Sequence, residues 1–235
     1  LAISLTQDFP KHPFAWKVLG VVLGQTGRKS EAVDATQKAI ALFPQDPTAH
    51  SNLGNTLKEL GKLDEAETSY KQAIALKPDF AEAHYNLGKT FQESGKLDEA
   101  EASYNQAIVL KPDFVQAHSN LGNTLKELGR LDEAEASLAK TIALKPDFAE
   151  AHGNLGNTLK DLGRLDEAES SYKQAIALKP DYAEAHSNLG VLLKELGRLE
   201  EAEASYRQAI ALKPDYAEAH YNLGKTFQES GKLDE

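Results

Sequence analysis

The sequence predicts an all-α solenoid built from two-helix hairpins, and three observations carry that prediction. The first is a period: Asn52, Asn86, Asn120, Asn154, Asn188 and Asn222 recur at one fixed interval, each followed by Leu-Gly. An interval of that length marks stacked supersecondary units. The second is that the helix breakers keep the same period. Of 16 glycines, Gly20, Gly54, Gly88, Gly122, Gly156, Gly190 and Gly224 occupy one place per repeat, and Gly27, Gly61, Gly95, Gly129, Gly163, Gly197 and Gly231 another. Only Gly24 and Gly153 fall outside the two series. The third is the spacing of apolar residues between the breakers, which is three and four, the spacing of a helix face.

Taken in order, residues 1–12 fit the end of a repeat, and 13–46, 47–80, 81–114, 115–148, 149–182 and 183–216 are complete repeats. Residues 217–235 begin another. At the entry to 81–114, Asp79 followed by Glu82 suggests a capping box at the first helix, which would satisfy free N–H groups. Ala83, Leu87 and Phe91 form its apolar stripe, and Gly95 stands where a left-handed C-cap is wanted. A second helix carries Leu97, Ala100, Tyr104, Ala107 and Ile108, and Pro112 stops it. One hairpin cannot bury both stripes, so stacked hairpins must share a core. Seven of the nine prolines take one site per repeat, leaving nothing to build a linker. The expectation is a single solenoid over 1–235.

Composition narrows the function. A formal charge of -10 and a pI near 5.2 disfavour nucleic acid or an anionic membrane as partner, since both require clustered cations. There is no cysteine, which removes disulfides, thiolate metal sites and cysteine nucleophiles. No apolar run approaches the roughly 20 residues of a membrane helix, and the first residues, LAISLTQDFPKH, do not read as a signal peptide. The compartment stays open, with the cytoplasm slightly favoured.

The residues Trp16, Leu19, Gly20, Leu23, Gly27, Ala32, Thr36, Ala39 and Pro44 in one repeat, and His84, Leu87, Gly88, Phe91, Gly95, Ala100, Tyr104, Ala107 and Pro112 in another, resemble the tetratricopeptide repeat signature. Thr36 and Leu138 depart from it at the second aromatic, and Thr141 at an alanine. The resemblance implies a right-handed superhelix with first helices on the concave side and a protein-interaction function. Gly88 and Ala100 are expected to let the two helices of a hairpin approach closely. Phe114, Tyr182 and Tyr216 are expected to cover the joints between repeats.

The polar ladders need separate readings. His50, His84, His118, His152, His186 and His220 recur where Trp16 stands first. Rungs about 8–10 Å apart cannot share one ion with ligands at about 2 Å, so a packing role is expected and no metal site. Acidic runs such as 98–103, DEAEAS, suit helix starts facing solvent. Almost every polar residue has several copies, and no nucleophile, base or phosphate loop stands apart, so this segment is expected to be non-catalytic and without cofactor.

The asparagines Asn52, Asn86, Asn120, Asn154, Asn188 and Asn222 are the candidate peptide-binding residues, with Lys89, Lys225, Tyr85 and Tyr221 modulating them. A carboxamide has two donors and an acceptor and can bracket a backbone amide. An extended chain rising about 3.3 Å per residue would meet a rung about every third residue. The alternative is that each asparagine bonds across the repeat joint and sets its angle. The ladder is similar to that of the repeat domain of the O-linked N-acetylglucosamine transferases, which adds a second reading: the substrate-recognition arm of a glycosyltransferase whose catalytic part lies outside this chain. Residues 81–99 and 217–235 are identical, so rungs are interchangeable and suit a long or variable partner. The incomplete repeats at 1–12 and 217–235 also suggest head-to-tail stacking of chains.

Overall fold

In the computed structural model, which describes residues 2–231 apart from the side chain of Ile3, those residues form fourteen α-helices and no strand. Residues 232–235, which the repeat frame places at the next second helix, lie outside the described residues. The helices are α1 (Ala2–Asp8), α2 (Pro13–Gln25), α3 (Lys29–Leu42), α4 (Pro47–Glu59), α5 (Leu63–Leu76), α6 (Ala81–Glu93) and α7 (Leu97–Leu110). Then come α8 (Val115–Glu127), α9 (Leu131–Leu144), α10 (Ala149–Asp161), α11 (Leu165–Leu178), α12 (Ala183–Glu195), α13 (Leu199–Leu212) and α14 (Ala217–Ser230). They fall into two compact units, 1–124 and 125–235, divided inside α8.

Within the first unit α2 pairs with α3, α4 with α5 and α6 with α7; within the second, α10 pairs with α11 and α12 with α13. Each pair is an antiparallel hairpin, and the first helices of consecutive pairs lie side by side, α2 with α4 with α6, and α10 with α12 with α14. The fold is all-α, of the tetratricopeptide kind.

The turn inside each hairpin rests on its glycine. Gly27, Gly61, Gly95, Gly129, Gly163, Gly197 and Gly231 have φ between 73° and 79°, and no other described residue has positive φ. A side chain at that φ costs energy that glycine avoids. The second glycine works differently. A Cβ on Gly54 would lie 2.7 Å from the ring of Tyr70, and one on Gly88 2.7 Å from Tyr104. The close approach therefore accommodates a fully buried tyrosine on the second helix, where Ala100 had been the expected partner. Gly153, outside both glycine series, makes the same kind of room for Tyr182, whose ring a Cβ there would meet at 3.2 Å.

The histidine ladder is structural, as its period requires. Each imidazole Nε2 sits 2.9–3.1 Å from the carbonyl oxygen of the proline six residues earlier, as in His50–Pro44 and His186–Pro180. Trp16 Nε1, which can only donate, makes the same bond to Pro10 O at 2.8 Å. The histidines must likewise donate from Nε2, and the indole shows that a hydrogen-bonding plate is all the position needs.

The expected aspartate capping boxes do not form. Helix α6 starts from Phe80 with no side-chain cap, because Asp79 stands one residue too early. The turn closes on itself instead, Phe80 N–H donating to Lys77 O and Ala81 N–H to Asp79 O. In α4 the aspartate is in the capping place itself: Asp46 precedes Pro47 and accepts from the N–H groups of Thr48 and Ala49.

Candidate functional site: the carboxamide rungs

The candidate asparagines sit on the first helices, one residue before the core-facing leucine, and all six are half-buried. Where the residue 31 before belongs to the same unit, their side chains follow a rule. In the first unit Asn86 Nδ2 donates to Asn55 Oδ1 at 3.2 Å, and Tyr70 Oη donates to the same oxygen at 2.7 Å. In the second unit Asn188 Nδ2 donates to Asn157 Oδ1 at 3.1 Å, and Tyr172 Oη to the same oxygen at 2.7 Å. Each closed rung thus joins three side chains from two hairpins through one oxygen. The acceptor stands 31 residues before the ladder asparagine and 15 before the tyrosine.

Where that acceptor is missing, the rung changes. Lys89 holds the place before Asn120 that Asn55 holds before Asn86, so Asn120 Nδ2 turns to the hydroxyls of Tyr85, 3.3 Å, and Tyr104, 3.5 Å. Tyr104 Oη in turn donates to Gln92 Oε1 at 3.0 Å. Val21 and Val191 hold the same place before Asn52 and Asn222, and those two amides have no hydrogen-bond partner among the described residues. Tyr206, which would also have used an acceptor at 191, keeps a buried hydroxyl with no partner. Desolvation pushes the phenols of Tyr70, Tyr172 and Tyr206 well up, so they remain hydrogen-bond donors at all physiological pH.

The bracing role is therefore real for Asn86, Asn120 and Asn188. Asn86 and Asn188 each use one donor on a neighbouring side chain, Asn120 turns its amide nitrogen to two hydroxyls, and all three keep Oδ1. Of the modulating residues, Tyr85 is tied into the joint, its ring 4.8 Å from Phe114, and burial raises its hydroxyl pKa. Lys89 lies 5.8 Å over that ring, and burial followed by the nearby Lys58 charge lowers its pKa. Tyr221 is 62% exposed, and Lys225 rides 4.7 Å over it, with a pKa raised by its hydrogen bond to that hydroxyl. Asn55, Asn157 and the bonding of the buried tyrosine hydroxyls escaped the sequence reading, which had Tyr104 only on an apolar stripe. The signal was the Asn-Leu-Gly-Asn spelling of 52–55, 120–123 and 154–157, which puts a second carboxamide on the same helix face.

Ion pairs span the same face. Lys58 reaches Glu93 at 3.0 Å, Lys126 reaches Asp161 at 3.1 Å, and Lys194 reaches Glu229 at 2.9 Å, each linking one first helix to the next. Among the described residues no group of three His, Asp or Glu is placed to hold a metal ion, and no helix is long and apolar enough to cross a membrane.

Residues 41–235 match the family of the cilia and flagella-associated protein 70 C-terminal domain, a tetratricopeptide family. No curated protein matches the sequence. Among solved structures, YrrB, described as a tetratricopeptide repeat protein with an unusual peptide-binding site, is 26% identical. It superposes with a TM-score of 0.65 over 80% of this chain and 97% of its own. MamA is 26% identical with a TM-score of 0.64, covering 70% of this chain and 96% of its own. The pilF protein of Pseudomonas aeruginosa, 20% identical, shares the fold with a TM-score of 0.77 over 93% and 97%.

Proposed function

Because this chain belongs to the tetratricopeptide family of the cilia and flagella-associated protein 70 C-terminal domain, we propose that its first-helix face docks an extended polypeptide. The fold is that of a protein-interaction scaffold. The observation supporting a peptide ligand is the carboxamide ladder itself: six half-buried asparagines in register, three of them held in orientation by an inward bond. An amide whose rotamer is already fixed loses less entropy on gripping a ligand. The unbonded Oδ1, and on Asn86 and Asn188 the second amide donor, then match the N–H and C=O of an extended backbone, which gives affinity with little side-chain preference. YrrB, with its peptide-binding site, offers a precedent in the same fold.

The experiment compares the parent with a variant carrying Asn154→Ala, Asn188→Ala and Asn222→Ala on an array of tyrosine-free peptides, with helicity checked in both. Binding by the parent that falls at least tenfold in the variant supports the clamp. Equal binding by the two makes the ladder a brace only. The glycosyltransferase-arm reading rests on the same carboxamides, and array peptides rich in acceptor serine and threonine distinguish it by preferential binding.

A further inference from the structure

The first complete repeat breaks the rung pattern at three places, and all three open one cavity. Over Gly54, Gly88, Gly156 and Gly190 a second-helix tyrosine fills the space above the first-helix glycine. Over Gly20 stands Thr36 instead, its hydroxyl bonded to Ala32 O at 2.8 Å. The acceptor asparagine is Val21. The first-helix lysine that pairs across the rung in Lys58–Glu93 is Gly24, so Glu59 pairs with Lys29 instead, at 3.2 Å. What remains is a cavity of about 160 Å³ lined by Gly20, Val21, Gly24, Thr36, Asn52 and Glu59 among others. A cavity of about 150 Å³ holds a benzene ring.

We infer that this cavity is a binding pocket for the phenol side chain of a tyrosine in a partner polypeptide. The protein supplies its own template. Tyr70, Tyr104, Tyr172 and Tyr206 each lay a buried ring on the glycine equivalent to Gly20, with ring atoms at 2.7 Å from where a Cβ would be. Over Gly20 the Thr36 hydroxyl already stands against the place where a Cβ would be, so an incoming ring would lie beside that hydroxyl, in the part of the space that the rest of a tyrosine ring takes in the other hairpins. The hydroxyl has a template in one rung: with Lys89 in the acceptor's place, Asn120 Nδ2 points at the hydroxyls of Tyr85 and Tyr104, whereas with Val191 there the Tyr206 hydroxyl stays without a partner. Asn52 is the corresponding amide in the first rung, and it has no partner of its own among the described residues. The Glu59 carboxylate at the wall favours a neutral phenol over an anionic ligand. Asn52, a rung of the proposed docking face, lines the pocket, so the inference rests on that reading and deepens it. Because the ladder test uses tyrosine-free peptides, either proposal can fail alone.

The test is titration of N-acetyl-tyrosinamide, N-acetyl-phenylalaninamide and p-cresol into the protein, followed by the Asn52 side-chain amide resonances. The expected result is saturable binding of N-acetyl-tyrosinamide and p-cresol at about 1 mM, as befits so few atoms, with the Asn52 resonances shifting. The phenylalanine compound should bind at least threefold more weakly. Thr36→Tyr fills the cavity with an internal ring and should weaken both phenols at least tenfold while raising the melting temperature. Asn52→Leu keeps the bulk and should remove the preference for tyrosine over phenylalanine. Absence of saturable binding, equal binding to Thr36→Tyr, or equal affinity for the two amino-acid amides overturns the inference. Binding of p-cresol without N-acetyl-tyrosinamide overturns it too, because the pocket would then take free phenols and not a polypeptide.

Discussion

Two neighbouring rungs of the second unit differ in one residue and teach what the ladder does. At Asn157 a single carboxamide oxygen gathers Tyr172 and Asn188. One repeat later Val191 stands in its place, Tyr206 keeps a buried hydroxyl without a partner, and Asn222 has a free amide among the described residues. The rings pack alike, since a Cβ on Gly156 or Gly190 would lie 2.7 Å from its tyrosine. Packing is therefore common to both rungs, and polar closure is a separate layer set by the residue at 157 or 191. Val191 packs instead against the apolar cluster containing Leu192, Leu193 and Tyr206. It exchanges a hydrogen-bond acceptor for apolar contact.

The strongest way to erase the difference is Asn157→Val. It orphans the Tyr172 hydroxyl and the Asn188 donor together, and an unsatisfied buried group costs about 1–3 kcal/mol. Amide hydrogen exchange should show α10 and α12 opening more readily by about that amount, with the first unit unaffected. The converse change, Val191→Asn, should close the rung for Tyr206 and Asn222. After loss of the valine contact a net gain of about 1 kcal/mol is expected, read as slower exchange in α13 and α14.

A finer probe removes only the hydroxyl. Tyr172→Phe should cost about 1 kcal/mol, whereas Tyr206→Phe should be neutral or slightly stabilising, since it deletes a group already without a partner. Urea unfolding of the pair measures the contrast. The smallest effect lies on the outer side of the same joints. Hydrogen bonds from Lys173 and then Arg198 lower the Glu169 pKa below its ordinary value of 4.5. A lowered folded-state value means the stabilisation is complete above pH 4.5 and is lost as pH falls through the folded value. Glu169→Gln should therefore cost about 0.5–1 kcal/mol at neutral pH, and the two proteins should converge in acid.

The contrast also marks what a sequence discloses. Hairpins, turns and the left-handed glycines such as Gly95 were legible because they depend on local periodicity and on backbone strain. The packing role of the histidines was legible too, since a ladder with one rung per repeat cannot converge on one ion. What escaped was which side chains meet across a joint. Asp79 looked like a cap from its spacing to Glu82, but the turn after Pro78 begins the helix one residue too late. Gly88 was paired with Ala100 by size, whereas the buried ring of Tyr104 is what needs the space. The asparagines were set between ligand and brace because their acceptors lie 31 residues away, a separation that only superimposed hairpins reveal.

The central claim is that one carboxamide does both tasks, bracing with one donor and gripping with what remains. Its most direct test follows the side-chain amide resonances of Asn188 and Asn222 while a tyrosine-free peptide that binds the parent is added. The account predicts that one Asn188 proton, held by Asn157, stays still while the other shifts, and that both Asn222 protons shift. If the peptide saturates and neither asparagine responds, the ladder is architecture alone and the docking face lies elsewhere.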